Sequence, residues 1–325
     1  MNNTPKLYPL KFTPILKEKV WGGRKLATHL HKRGEGLLGE SWEISGVRGA
    51  ISEVSNGALK GKEITKLLIQ YKEEIVGATI YKNFGNEFPL LFKFIDARET
   101  LSVQLHPNET LAKERHDSFG KTEMWYIMEA EPDADLILGF NKPMDLDTYT
   151  KELSENNLAA ILHHEKVQKG DSFFIAPGTV HAIGAGVVLA EIQQTSDITY
   201  RIYDWDRPDI NGKLRQLHIE EALDAIDYDK PDAKLSYSKE KDARVQLKST
   251  PYFEVNTLQL TQDFIPDLST ISSFVVYMCV EGNTELHSEG FSEKLIKGET
   301  ILVPASIRNI HFKTKGAKLL EIYIP

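Results

Sequence analysis

The chain has 325 residues, 41% of them hydrophobic and 26% charged, enough for a sizeable core and, at roughly 150 residues each, for about two domains. Lys and Arg total 39 against 47 Asp and Glu, a net charge of -8, which argues against a general nucleic-acid or anionic-membrane surface, so an anionic ligand must be met by a local cluster of positive groups. The single cysteine, Cys279, excludes an intramolecular disulfide and a thiolate-rich zinc site.

No run of about 18 apolar residues is available to span a membrane, and residues 1–6 have no apolar segment behind their charge, so a cytoplasmic protein is expected. Such a chain, if an enzyme, would work with His, carboxylates or Lys.

Strand signals dominate, with few helices among them. Ile64, Leu67, Leu68, Tyr71 and Ile75 follow the spacing of one helix face, and Gly77 stands where a C-terminal cap belongs. Short apolar or aromatic runs at 90–95, 124–128, 136–138 and 173–175 are bounded by turn formers and read as strands. Between them, Ser154 is placed to cap a short helix carrying Leu158, Ile161 and Leu162. Ile219, Ala222, Leu223 and Ile226 form a further stripe, with Glu220 and Glu221 in its first turn. Strand runs resume at 274–278, 300–303 and 319–323. The polar segment 227–241, which holds Pro231, reads as a linker between an N-terminal unit (1–235) and a β-rich C-terminal unit (236–325).

An internal repeat supports this division. Residues 124–130 precede Lys169-Gly170-Asp171, a strand run, Pro177 and His181; residues 277–282 precede Lys297-Gly298-Glu299, a strand run, Pro304 and Arg308. The Gly-strand-Pro-x-x-x-His pattern resembles the second motif of cupin barrels. The resemblance implies a mainly β chain of two cupin-like β-barrels, or jelly rolls, with a few short helices. Arg308 stands in the place of His181, so chemistry is expected in the first unit and no metal in the second.

Ser102, Gln104 and His106 alternate with Val103 and Leu105, so on a strand the three polar side chains share one face. Lys121 and Glu123 share a face by the same period, and His181 follows Pro177-Gly178 at a strand end or tight loop. Buried polar groups of this kind cost about 1–3 kcal/mol each without partners. His106, Glu123 and His181 are suited to Zn2+ with open positions, and Gln104 could add a carbonyl oxygen. One carboxylate against a dication leaves the ion a usable Lewis acid. Spacing alone leaves a second reading open, in which the two histidines are strand-end residues bonded to backbone.

The strings Leu101-Ser102-Val103-Gln104-Leu105-His106-Pro107-Asn108 and Gly120-Lys121-Thr122-Glu123-Met124-Trp125-Tyr126 closely resemble type I mannose-6-phosphate isomerases (phosphomannose isomerases). Val20-Trp21-Gly22-Gly23, Gly39-Glu40-Ser41-Trp42-Glu43-Ile44-Ser45, Phe88-Pro89-Leu90-Leu91-Phe92-Lys93, Pro177-Gly178-Thr179-Val180-His181 and Glu191-Ile192-Gln193-Gln194 with Thr199-Tyr200-Arg201 fit as well. The likeness runs in order through roughly residues 5–225 and is closest to the compact bacterial branch. It implies one zinc per chain held by Gln104, His106, Glu123 and His181. This departs from the usual cupin pattern, since Gln104 replaces the first His of His-x-His.

The implied activity is interconversion of mannose 6-phosphate and fructose 6-phosphate through a cis-enediol. Lys93, Ser102, Lys121 and Arg201 are expected around the pocket, with Lys213 on a looser match. Arg201 suits a fork-like grip on phosphate or on enediolate charge. Glu191, Lys121 and His181 all stand as acid–base candidates, although a metal-bound His181 would be a poor base. A cupin iron dioxygenase and a non-catalytic sugar-phosphate sensor are the competing readings. No nucleic-acid or membrane partner is expected, and nothing in the sequence demands more than a monomer. His163 and His164 are read at a helix C-terminus, and Trp21, Trp42, Trp125 and Trp205 as core or pocket walls. Gly22-Gly23 is too short for a phosphate loop.

Overall fold

The structure is a computed structural model describing residues 5–229 and 231–325. Among these, 17 strands are joined by short helices. The first eleven are β1 (Ile15–Gly23), β2 (Leu38–Ile44), β3 (Leu90–Ala97), β4 (Val103–Leu105), β5 (Glu123–Ala130), β6 (Asp135–Phe140), β7 (Leu162–Lys166), β8 (Ser172–Ile175), β9 (His181–Ile183), β10 (Val187–Gln194) and β11 (Tyr200–Tyr203). The C-terminal part adds β12 (Arg244–Ser249), β13 (Glu254–Leu260), β14 (Val275–Ser288), β15 (Phe291–Ile296), β16 (Thr300–Val303) and β17 (His311–Tyr323).

The fold is mainly β, as expected. One sheet runs β1-β2-β3-β10-β5-β8, a second β11-β4-β9-β6-β7, and a third β12-β13-β17-β14-β15 with β16 beside β14. Among the described residues none of the three closes on itself. The central strands β3 and β10 are buried along their whole length, as their near-continuous apolar sequence dictates. The exceptions in them, Lys93 and Asp96 on β3 and Glu191, Gln193 and Gln194 on β10, therefore sit as polar groups in a dry layer and each requires a partner.

The internal repeat is visible in the backbone. Gly170 N–H donates to Ile127 O (2.8 Å) and Ile127 N–H to Asp171 O (2.9 Å); Gly298 N–H donates to Cys279 O (2.8 Å) and Cys279 N–H to Glu299 O (2.9 Å). Both glycines hold φ near +90°, at +91° and +87°, a conformation other residues rarely adopt. One hydrophobic cluster joins the N- and C-terminal parts of the chain. Leu10 pairs with Leu302 of β16, and Phe88 packs at 5.0 Å on Phe274. Residues 233–235 bond to β8 through Phe174 N–H to Ala233 O and Leu235 N–H to Ser172 O, both 2.8 Å.

Several local expectations change. The helix that begins at Ile64 stops at Tyr71; Lys72 takes φ 51°, and a second turn covers Glu73–Val76 before Gly77. Ser154 ends a helix, Leu146–Ser154, rather than starting one. Its cap is Asp145, whose Oδ1 accepts from Thr148 N–H at 2.8 Å, and a charged carboxylate is favoured at that helix end. His163 and His164 lie on β7, not at a helix terminus. At Gly22 a Cβ would come within 2.5 Å of Gly39 N, so close packing of β1 on β2 explains that glycine. No helix among the described residues is long and apolar enough to cross a membrane.

Candidate metal centre and its cleft

Strand β4 lies between β11 and β9, which sets Gln104 opposite Arg201 on one side and His181 on the other. His106 follows β4 directly, Glu123 opens β5 and His181 opens β9. His106 Nε2 is 3.2 Å from Glu123 Oε1, and His181 Nε2 is 4.0 Å from Glu123 Oε2. All three side chains are 1% exposed, and one ligand atom from each lies within 4.8 Å of the others.

The outer nitrogens of both rings are engaged: His106 Nδ1 meets Ile198 O and His181 Nδ1 meets Thr179 O, each at 2.8 Å. A carbonyl accepts only from N–H, so both rings carry the proton on Nδ1 and turn an Nε2 lone pair inwards. Burial, with Lys121 beside it, pushes the His106 imidazole down to about 3, and burial lowers His181 too. Burial raises the Glu123 carboxyl, but Lys121 and the imidazoles outweigh it and hold the group well below the usual range. His181 Nε2 makes no hydrogen bond, and Glu123 Oε1, although 2.9 Å from Lys121 Nζ, receives none with suitable direction. Lys121 Nζ lies 3.2 Å from His106 Nε2, but His181 Nε2 and Glu123 Oε1 stay unpartnered, and two neutral nitrogens with an ionised carboxylate in one dry cluster fit a divalent cation.

A cleft of about 470 Å³ adjoins this cluster. Lys93, Ser102, Gln104, Lys121, Glu191 and Arg201 line it, all named from the sequence; Trp21, Trp42 and Trp125 form walls. Trp205 lies elsewhere, against Tyr203, with its indole N–H on Leu101 O. Lys213 is exposed and does not line the cleft; its backbone N–H closes a turn on Asp209 Oδ1 at 3.0 Å. A larger hollow of about 570 Å³ on the C-terminal unit is open to solvent and holds His287 and His311. Their nearest carboxylates, Glu285 and Asp263, are 40% and 56% exposed, so it lacks the dry donor set of the first unit.

The family model "Phosphomannose isomerase type I, catalytic domain" matches residues 9–135, and "Mannose-6-phosphate isomerase, cupin domain" matches 244–323. Mannose-6-phosphate isomerase ManA of Bacillus subtilis is 33% identical, over 95% of this chain and 96% of its own. Mannose-6-phosphate isomerase of Streptococcus mutans is 32% identical, over 94% and 95%. The chain belongs to the type I phosphomannose isomerase family. Its fold superposes on the crystal structure of mannose 6-phosphate isomerase from Bacillus subtilis with a TM-score of 0.88, at 29% identity over 98% of this chain and all of that one.

In this member of the phosphomannose isomerase family, one row of side chains crosses four strands in register: Trp42, Lys93, Glu191 and Trp125. Lys93 Nζ donates to Glu191 Oε1 at 2.7 Å, and the Trp125 indole N–H is shared between Glu191 Oε2 (3.0 Å) and Glu123 Oε2 (3.2 Å). Burial and the nearby Glu123 push the Glu191 carboxyl up, with Lys93 offsetting part of this. Burial works against the Lys93 charge, but Glu191 and Glu40 raise it to about 12. Arg201 Nε donates to Ser102 Oγ (3.2 Å) and Nη1 to Gln216 O (3.0 Å); burial and Arg215 lower its pKa.

The cleft also contains charged and titratable residues that sequence reasoning passed over, namely Lys17, Lys19, Glu40, Asp197, Arg215 and His218. Period-two alternation was available as a signal for the first three, since Lys17, Lys19 and Trp21 alternate along β1 and Glu40 and Trp42 along β2.

Proposed function

We propose that the chain is a mannose-6-phosphate isomerase that interconverts D-mannose 6-phosphate and D-fructose 6-phosphate through a cis-enediol, in the cytoplasm. The observation that carries this reading is the dry His106–Glu123–His181 cluster beside a cation-rich cleft, in a chain matching named isomerases along nearly its whole length. The ion proposed is one Zn2+, held by both Nε2 atoms, the Glu123 carboxylate and the Gln104 amide oxygen. When bound it would polarise or orient the sugar oxygens as a Lewis acid. Residues 1–235 form the proposed catalytic unit and residues 236–325 a second cupin-like jelly roll without a metal.

The reaction moves one proton from C2 to C1 and exchanges a proton between O1 and O2. Glu191 is the proposed group for the carbon-bound proton: its carboxylate is dry, oriented at both oxygens by Lys93 and Trp125, and of raised basicity. Lys121 is proposed to serve the oxygens, with its ammonium at the edge of the cleft beside His106 and Glu123. Arg201 supplies fixed positive charge to the substrate, and Ser102 holds its guanidinium. Trp21, Trp42 and Trp125 supply apolar walls to the cleft.

Purified protein loaded with Zn2+ should form fructose 6-phosphate from mannose 6-phosphate in a coupled assay. A fully loaded, folded protein with no turnover in either direction would overturn this function.

A further inference from the structure

Six cations line the cleft: Lys17, Lys19, Lys93, Lys121, Arg201 and Arg215. Four are already matched by carboxylates. Lys93 meets Glu191 at 2.7 Å, Lys121 meets Glu123 at 2.9 Å, Lys19 meets Glu40 at 3.0 Å, and Arg215 holds both oxygens of Asp204 at 2.6 and 2.5 Å. Among the described residues, Lys17 and Arg201 alone of the six have no carboxylate within 4.0 Å.

A phosphate monoester is close to a dianion at neutral pH. A cation already neutralised by a carboxylate gives it little, whereas two unmatched cations in one cleft balance its charge. Both line the same cleft. Lys17 stands on β1, the edge strand of one sheet, and Arg201 on β11, the edge strand of the other. The His106–Glu123–His181 cluster lies further in, where β5 faces β4 and β9.

Lys17 is also held in place without being neutralised. Its Nζ lies 4.8 Å over the Trp42 ring, a cation–π contact that positions the ammonium and leaves its N–H groups free. Trp42 is fixed by its indole N–H on Glu40 Oε2 at 2.6 Å. Glu40, directly across the strand pair from Lys17, is thus engaged by Lys19 and Trp42. We infer that Lys17, seated on Trp42, is the second cation of the phosphate subsite with Arg201, and that it anchors the phosphate end of the sugar while the carbonyl end meets the buried cluster. This rests on the hexose-phosphate reading above.

The test is steady-state kinetics of Lys17→Met, Lys17→Gln and Lys17→Arg, with inorganic phosphate as competitive inhibitor and bound metal measured in each. Losing one charged donor to phosphate should raise KM for mannose 6-phosphate about 10–100-fold, with kcat changed far less. Inhibition by inorganic phosphate should weaken by a similar factor, and Lys17→Arg should recover most of both effects. Unchanged KM and unchanged phosphate inhibition in Lys17→Met and Lys17→Gln would overturn the assignment. If the wild-type protein turns over no mannose 6-phosphate, the isomerase reading fails by itself. Calorimetric binding of inorganic phosphate then decides the subsite: weakened binding in Lys17→Gln supports it, and equal binding removes it.

Discussion

Lys93 Nζ lies 2.7 Å from Glu191 Oε1, with the two side chains 8% and 5% exposed. They stand opposite each other on β3 and β10, both buried along their full length. An ammonium in such a layer is tolerated because the carboxylate beside it balances its charge, and the carboxylate is aimed by the same contact.

Removing one member of this pair therefore exposes the cost of the other. Lys93→Met should destabilise the protein by about 3–5 kcal/mol, because Glu191 is left buried without its counter-ion. Lys93→Met combined with Glu191→Gln should be less unstable than Lys93→Met alone. Urea denaturation of the single and double variants measures this; a Lys93→Met protein of wild-type stability would contradict the pairing.

Metal removal should abolish isomerisation, and added Zn2+ should restore it. His106→Ala and His181→Ala should each lose the ion yet keep the fold, since both rings face a cleft-side cluster and not the apolar core. Elemental analysis and circular dichroism read the two effects separately. Full turnover in rigorously metal-free protein would rule out the site.

Arg201→Ala should keep one bound metal while kcat/KM falls by about 10²–10³. With the residue acting on phosphate, most of the loss belongs in KM. Arg201→Lys should recover part of it, because an ammonium cannot reproduce the planar two-point grip. Near-normal kcat/KM in Arg201→Ala would show an ordinary strand arginine.

Glu40 gives a prediction in pH. Burial pushes its carboxyl up, but Lys93, Lys19 and the Trp42 N–H outweigh this and bring it from 4.5 down to about 2. A depressed carboxylate contributes stability above its unfolded pKa and loses it as pH falls through the folded value. The stability difference between wild type and Glu40→Gln, on the order of 3 kcal/mol, should therefore be full above pH 5 and shrink steadily towards pH 2. A difference independent of pH over that range would show that Glu40 is not held ionised.

The second unit should stay metal-free even when a histidine is supplied. Ile127 and Cys279 occupy matching places in the repeat, so the counterpart of Glu123 is Val275, and Arg308 is exposed with its guanidinium on backbone carbonyls. Arg308→His should bind no ion. Two equivalents of metal in that variant would contradict this.

Much of the site was legible because strand alternation is local information. Ser102, Gln104 and His106, then Lys121 and Glu123, declare a shared face by period alone, and the structure brings His106, Glu123 and His181 within one ion's reach. Charge matching was not legible, because it depends on which strands become neighbours. Lys93 meets a residue 98 positions away, and nothing near Lys17 in sequence reveals that Trp42 seats it while Glu40 is engaged elsewhere. Lys213 rested on a looser family match, yet its backbone closes a turn on Asp209 and its side chain is exposed. The short helix expected after Ser154 is present as a 3-10 turn, Leu158–Ile161, but Asn157 precedes it and Ser154 closes the helix before.

The apolar layer in which Phe88 meets Phe274 and Leu10 meets Leu302 couples the C-terminal part of the chain to the cleft-bearing strands. Chain ending near residue 235 would leave that layer half-made, with β10 and β3 facing water on the side away from the cleft. The second unit thus acts as a permanent inner lining for the first. Melting should consequently occur in a single transition, and a substitution such as Phe274→Ala, far from any reacting atom, should shorten the working lifetime of the enzyme at elevated temperature.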